Sequence, residues 1–218
     1  MRTYTPKAFA VTDLAQLHAA MKQSALATFV TMTTQGLVAT HLPLMLDETR
    51  GEFGTLTGHV SRANLQWKES DPKTEGLIIF LGPDTYVTPN WYPAKQETGR
   101  VVPTWNYAAI HAYGIPTFFQ DTERLRGVVT ELTRRHEASF PAPWQVTDAP
   151  TVYIDAQLKA IVGFEFPILR LEGKQKFNQN RSLEDRVGVI DGLRALGDER
   201  KTQVAEVMEE IEARRKPG

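Results

Sequence analysis

The strongest constraint on this chain is a succession of short β-type runs broken by turn residues, with no regular alternation of strand and helix. ATFVTMTT (Ala27–Thr34) is joined through Gln35-Gly36 to LVATHLPLML (Leu37–Leu46), a hairpin pattern. A polar turn, DETRGE, leads to FGTLTGHV, and GLIIFLGP reads as a buried strand. TYVTPNWYPAKQETGR starts extended and becomes a loop, and VVPTWNYAAIHAYGIPTFF is rich in residues that favour strands. Many short strands with helices at the edges indicate a barrel or sandwich with helical additions. A doubly wound nucleotide fold is disfavoured, and neither GxGxxG nor GxxxxGK[ST] occurs.

Helical patterns lie around this β-rich body. Thr12-Asp13 starts a helix carrying Leu14, Leu17 and Met21 on one face. Asp121 caps a second, with Leu125, Val128, Val129 and Leu132 at helical spacing. SRANLQWKES reads as a short helix ended by Asp71-Pro72, and Thr151–Ala160 as another. Ile161–Leu171 is apolar and β-like, interrupted at Pro167, and Gly173 begins a polar, basic loop, GKQKFNQNRS. Glu184–Leu196 and Asp198–Arg215 close the chain as two helices. The expected organisation is one domain over residues 1–218, with residues 183–218 as a C-terminal helical extension.

Composition narrows the chemistry. The 218 residues include no cysteine, which excludes disulfides, thiolate metal sites, iron–sulfur clusters and a Cys nucleophile. The formal net charge of −1 lacks the basic excess of a nucleic-acid-binding domain. The arginines of the Asp121–Glu137 helix (Arg124, Arg126, Arg134, Arg135) and of the tail (Arg214, Arg215, with Lys216) read first as solvated charge. No window approaches the roughly 18 apolar residues of a membrane span. The start of the chain lacks the apolar core of a signal peptide, so a soluble cytoplasmic protein is expected.

Four stretches could carry chemistry. In GHVSRANLQW (Gly58–Trp67), a helix beginning at Ser61 would present free backbone N–H groups to an anion. Arg62 offers a planar fork that matches phosphate oxygens, and Asn64 an amide donor. The simpler alternative is that Ser61 caps, Arg62 is solvated and Trp67 packs. In VATHLPL, His41 stands in an apolar strand before Pro43, as a ligand contact or as a core histidine with a backbone partner. His41 and His59 do not supply three metal ligands at productive spacing, so no metal is expected. YVTPNWYP and VPTWNY place Trp91, Tyr92, Trp105 and Asn106 in or beside loops, where they could stack on a planar ring or fill a barrel end and an interface. The fourth stretch, around Gln179, Asn180 and Arg181, suits anion or amide recognition, or is a solvated loop before a Ser182 cap.

Together HLPL, GHVSRANLQW, YVTPNWYP, VPTWNY and KFNQNRS, in that order over nearly the whole chain, resemble the PaiB-type family of FMN-binding negative transcriptional regulators. The family usually has Pro at the position of Leu65, Ser at Thr88 and Asn90, and Leu-Ser at Phe177-Asn178. The resemblance implies a mainly β fold with α additions: an FMN-binding split β-barrel with peripheral and C-terminal helices. It also implies a homodimer holding FMN in a groove between subunits. Ser61 and Arg62 then correspond to the pair that grips the FMN phosphate, and Thr40, His41 and Leu42 run beside the isoalloxazine ring. Thr57, His59 and Asn64 complete that group of candidates. Trp91, Tyr92, Trp105 and Asn106 would come from the other subunit, and Gln179, Asn180 and Arg181 would close the pocket. No nucleophile, base and orienter set stands out, so a flavin-binding regulator is expected before an FMN-dependent oxidoreductase or a cofactor-free interaction module. Direct DNA binding finds no support in the charge pattern.

Overall fold

The structure, a computed structural model, describes residues 3–215. Lys216 of the basic tail and the last residues of the expected C-terminal extension lie outside the described residues. Nine strands form one sheet network: β1 Ala10–Val11, β2 Ala27–Thr33, β3 Gly36–Leu42, β4 Met45–Asp47, β5 Thr55–Ser61, β6 Gly76–Val87, β7 Thr104–Gly114, β8 Thr117–Phe119 and β9 Ile161–Lys176. The order is β3-β2-β6-β7-β9-β5-β4, with β1 and β8 also paired to β9. The helices are α1 Leu14–Gln23, α2 Gln66–Glu69, α3 Ala94–Thr98, α4 Thr122–Glu137, α5 Thr151–Lys159, α6 Leu183–Ala195 and α7 Glu199–Arg214.

The chain forms two compact units. One comprises Leu14–Phe80 and His111–Leu171; the other comprises the N-terminal segment through Asp13, Leu81–Ile110 and the chain from Glu172 onward. In the first, period-two alternation buries Ala27, Phe29, Thr31 and Thr33 of β2 on one face. The expected hairpin forms with Thr28 opposite His41 and Val30 opposite Ala39. Phe29 stacks on Phe164, ring centroids 4.8 Å apart, and meets Phe166 edge-on. The Asp121 side chain accepts from the Arg124 N–H and caps α4, whose Leu125 packs with Val146, Ile154 and Leu158. In the second unit α6 and α7 close over Val87, Tyr92 and Phe177 through Val189, Leu193, Val204 and Met208.

Four expectations change. No helix begins at Ser61, which is the last residue of β5; α2 starts only at Gln66 and is four residues long. Gly173–Lys176 belong to β9 rather than to a loop, because Gly173 and Lys174 pair with Val11 and Ala10 of β1. The strand runs through Pro167, which stands where its ladder with β5 ends, opposite Thr55. The loop after Tyr92 contains a short helix, α3, ended by Gly99 in the left-handed conformation.

Candidate functional site

The candidates fall into two groups, one in each unit. Thr57, His59 and Ser61 alternate with buried Leu56, Gly58 and Val60 along β5, so they share the opposite face. Thr57 pairs with Glu165, His59 with Gly163 and Ser61 with Ile161 on β9. Gly163 leaves room for Phe119, since a Cβ there would lie 2.3 Å from the ring. That ring shields the face beside His59. The His59 Nδ1 is buried without a hydrogen-bond partner, and burial pushes the imidazole pKa down, favouring the neutral form. Farther along, Glu165 takes Arg50 at 2.6 Å and Arg124 at 2.5 Å. The Arg50 hydrogen bond first, then Arg124, hold its carboxyl at about 2, against desolvation.

Beyond Ser61 the backbone winds into turns rather than a helix. The Arg62 N–H donates to the Ala160 carbonyl, Asn64 N–H to the Ser61 carbonyl and Ala63 N–H to Ser61 Oγ. The Gln66 N–H donates to Asn64 Oδ1. Four N–H groups of the expected amide cradle, those of Arg62, Ala63, Asn64 and Gln66, are therefore spent on the protein's own acceptors, which shifts the grip on an anion towards side chains. Arg62 itself is a bracket: Nε donates to Lys159 O at 2.6 Å, Nη2 to Ile161 O at 3.1 Å and Nη1 to Gln120 Oε1 at 2.5 Å. Three of its five N–H groups are thus used, leaving two for a ligand.

Gln66, which the sequence did not single out, ties the same region together. It is 2% exposed. Its Nε2 lies within hydrogen-bond distance of Phe29 O at 3.3 Å, Val38 O at 3.3 Å and Thr31 Oγ1 at 3.1 Å. Its Oε1 accepts from Thr40 Oγ1 at 2.5 Å, and Thr40 in turn accepts from Asn64 Nδ2 at 2.8 Å. Thr40 and Asn64 are thereby held between β3 and the turn after β5. His41 points to the other face of β3, where its Nδ1 meets Thr28 Oγ1 at 3.0 Å. Leu42 is core. Leu42, Pro43 and Leu44 pass so close to Gly58 that a Cβ there would lie 2.6 Å from Leu44 Cδ2, which brings the end of β3 against β5.

The second group is mostly interior to its own unit. Tyr92 is 1% exposed; its hydroxyl accepts from Asn178 Nδ2 at 2.8 Å, and burial raises its pKa. Asn106 is wholly buried, with Nδ2 on Met208 Sδ at 3.5 Å and Oδ1 unpartnered. Trp91 lies against Gly192 of α6. Arg181 covers the Tyr92 ring at 4.7 Å. Gln179 folds back, accepting from Phe177 N–H and donating to Gln175 O, both at 2.7 Å. Asn180 is exposed. Trp105 is half exposed, donates to Asp84 at 3.2 Å and meets Tyr86 edge-on.

The arginines of α4 are each engaged. Arg124 pairs with Glu165, Arg126 with Asp155 and Arg134 with Glu131, while Arg135 donates to the carbonyls of Leu44 and Lys22. Arg214 and Arg215 pair with Glu210 and Glu212. Among the described residues no group of three His, Asp or Glu could hold a metal, and no helix is long and apolar enough to cross a membrane.

Residues 3–170 match the family model described as "Putative FMN-binding domain". The chain belongs to this FMN-binding family. The family segment contains the whole β5 group and Gln66. The chain is 30% identical over 207 residues to the protease synthase and sporulation protein PAI 2 of Bacillus subtilis, covering 95% of this chain and 97% of that one. It is 35% identical over 203 residues to an uncharacterized protein of Emericella nidulans, covering 79% and 81%. Among solved structures it is similar to the FAD and heme binding protein of Mycobacterium smegmatis, at TM-score 0.56 and 14% identity, over 82% of this chain and 78% of that one. The fold class is that of the flavin-binding split barrels, mainly antiparallel β with helices, as the resemblance implied. A flavin also fits the donors present. Thr57 and Ser61 hydroxyls, the two remaining Arg62 N–H groups and the unpartnered His59 nitrogen share one unit and suit a phosphorylated, heteroaromatic group.

Proposed function

We propose that this chain is an FMN-binding homodimer acting as a negative regulator of the PaiB type. The observation that carries the flavin part is His59: a buried imidazole nitrogen without a partner, on the strand face that also bears Thr57 and Ser61. A buried polar atom left unpaired costs about 1–3 kcal/mol, which a ligand hydrogen bond recovers. Ser61 and Arg62 would hold the phosphate through side chains, with Thr40 and Asn64 along the ring system; His41 faces away from Thr40 and Leu42 packs in the core. Trp105, with its exposed indole, is the best candidate of the second group, whereas Tyr92 and Asn106 are buried. FMN would supply redox chemistry when bound.

Dimerisation is supported by the outer face of β3, β2 and β6. Leu37 and Met32 are 71% and 42% exposed there, in register with each other, beside Val30, Ala39, Leu77 and Ile79. Such an apolar sheet face favours a second copy. The regulator role draws on the resemblance of the five ordered segments to the PaiB-type family. The paired α4 arginines argue for control through a partner or a bound small molecule rather than through phosphate contacts to DNA.

An FMN-dependent oxidoreductase is the second reading, favoured by the same neutral imidazole, which could accept a proton. Titration of the purified protein with FMN, followed by absorbance and thermal melts, tests the first. A hundredfold excess over the dissociation constant should stabilise by about 2.7 kcal/mol. His59→Ala should weaken binding about tenfold. No stabilisation at saturating FMN would sink the proposal. Steady nicotinamide oxidation would select the oxidoreductase.

A further inference from the structure

Helix α4 has a second face that the flavin proposal does not use. Beside it, the segment after Glu137 and the start of α5 enclose a cavity of about 480 Å³. That lies within the roughly 300–1,000 Å³ range of small-ligand pockets. Val146 and Ile154, 7% and 8% exposed, form its apolar floor. Trp144, 43% exposed, stands at its wall. Thr130, Thr133, Thr147 and Thr151 are among the other lining residues.

The segment is held in place by its own hydrogen bonds. Glu137 Oε2 accepts from the Trp144 N–H at 2.9 Å. Gln145 N–H donates to Asp148 Oδ2 at 2.8 Å, and Asp148 N–H to Gln145 O at 2.9 Å. The cations at the cavity are matched: Arg126 is paired with Asp155, and Arg134 with Glu131 through both carboxylate oxygens. Glu137 keeps its negative charge, bonding the neutral Trp144 amide. An anionic guest would bring uncompensated charge beside an apolar floor. Threonine hydroxyls both donate and accept, and an exposed indole face favours a flat ring.

We propose that the cavity between α4 and the segment leading into α5 binds a planar aromatic molecule without negative charge, bearing hydroxyl, carbonyl or amide groups. The site is independent of the flavin reading: FMN carries a phosphate dianion, and no unmatched cation meets it here. The test uses the full chain with benzamide and 4-hydroxybenzamide as neutral probes, and benzoate as the anionic counterpart. Saturation-transfer NMR and thermal melts report binding. The neutral probes should bind at least about tenfold more tightly than benzoate, given the cost of an unmatched charge. Thr130→Phe, which fills the cavity from an exposed helix position, and Trp144→Ala, which removes the wall, should each abolish that binding while circular dichroism stays native. Saturating FMN should not displace the probes. If Thr130→Phe fails to fold, Trp144→Ala decides alone. Absence of neutral-probe binding, equal binding of benzoate, unchanged binding in the folded variants, or displacement by FMN would each overturn the proposal.

Discussion

The Nε of Arg62 donates to the carbonyl oxygen of Lys159 at 2.6 Å, so the side chain expected to face a phosphate is also a strut between the end of β5 and the α5–β9 junction. Its Nη2 contact to Ile161 O and its backbone bond to Ala160 O reinforce that strut. The strut keeps Ser61 in register with Ile161, the last pair of the β5–β9 ladder.

Arg62→Ala should therefore do two things at once. Losing charged hydrogen bonds costs about 2 kcal/mol of stability, a fall of roughly 4–8 °C in Tm for a chain of this size. Flavin affinity should drop about tenfold to a hundredfold. Melts and flavin titration on the same preparation separate the effects. Unchanged Tm would remove the strut, and unchanged affinity the phosphate contact.

Replacement of Gln66 has a pH signature. Gln66→Leu leaves the carbonyls of Phe29 and Val38 and the Thr40 hydroxyl without their amide partner, at a cost of about 2–3 kcal/mol. Gln66→Glu buries a carboxyl against two carbonyl oxygens, raising its folded pKa above its unfolded value. Relative to the parent, Gln66→Glu should lose stability as pH rises from about 4 towards 7. Equal denaturant midpoint differences at both ends of that window would refute it.

Glu165 titrates in the opposite sense. Its folded pKa of about 2 lies below the ordinary 4.5, because Arg50 and Arg124 bond the charged form. The stability it contributes is present above 4.5 and is lost as pH falls through that value towards 2. Glu165→Gln should lower Tm at neutral pH and flatten the acid limb in that window. A variant whose acid limb matches the parent's would show that Glu165 is not its source.

Gly163→Ala tests the shield over His59. The new methyl would stand 2.3 Å from the Phe119 ring and push it aside. Overpacking of this kind costs roughly 1–3 kcal/mol. With the ring displaced, the His59 pKa should climb back towards its ordinary value, which NMR titration of the imidazole reads directly. A His59 titration identical to the parent's would mean that other groups desolvate it.

Most of the fold was legible from local pattern. The β2–β3 hairpin follows from strand-forming runs on either side of a turn, and the caps of α4 and α6 from Asp121 and Ser182. The helix placed at Ser61 was not legible as absent. Its residues have ordinary helix propensity, but the ladder between β5 and β9 holds Ser61 extended, and the bond from Arg62 N–H to Ala160 O starts a turn instead. Gly173–Lys176 read as a loop because these polar residues show no apolar alternation to betray a strand. Gln66 carried no local signal at all, since its partners lie on two strands far back along the chain.

The amino-acid sequence by itself determined the β-rich class, the helix boundaries set by caps, the lack of thiol chemistry and the membership of a flavin-binding family. These depend on neighbouring residues or on motifs read in order. Tertiary structure alone decided that Tyr92 and Asn106 lie inside the α6–α7 core, that Arg62 spends three donors on the protein, and that His59 keeps a buried nitrogen free. The physical reason is that burial and hydrogen-bond partnership belong to pairs of distant segments, and no single segment specifies its partner's position.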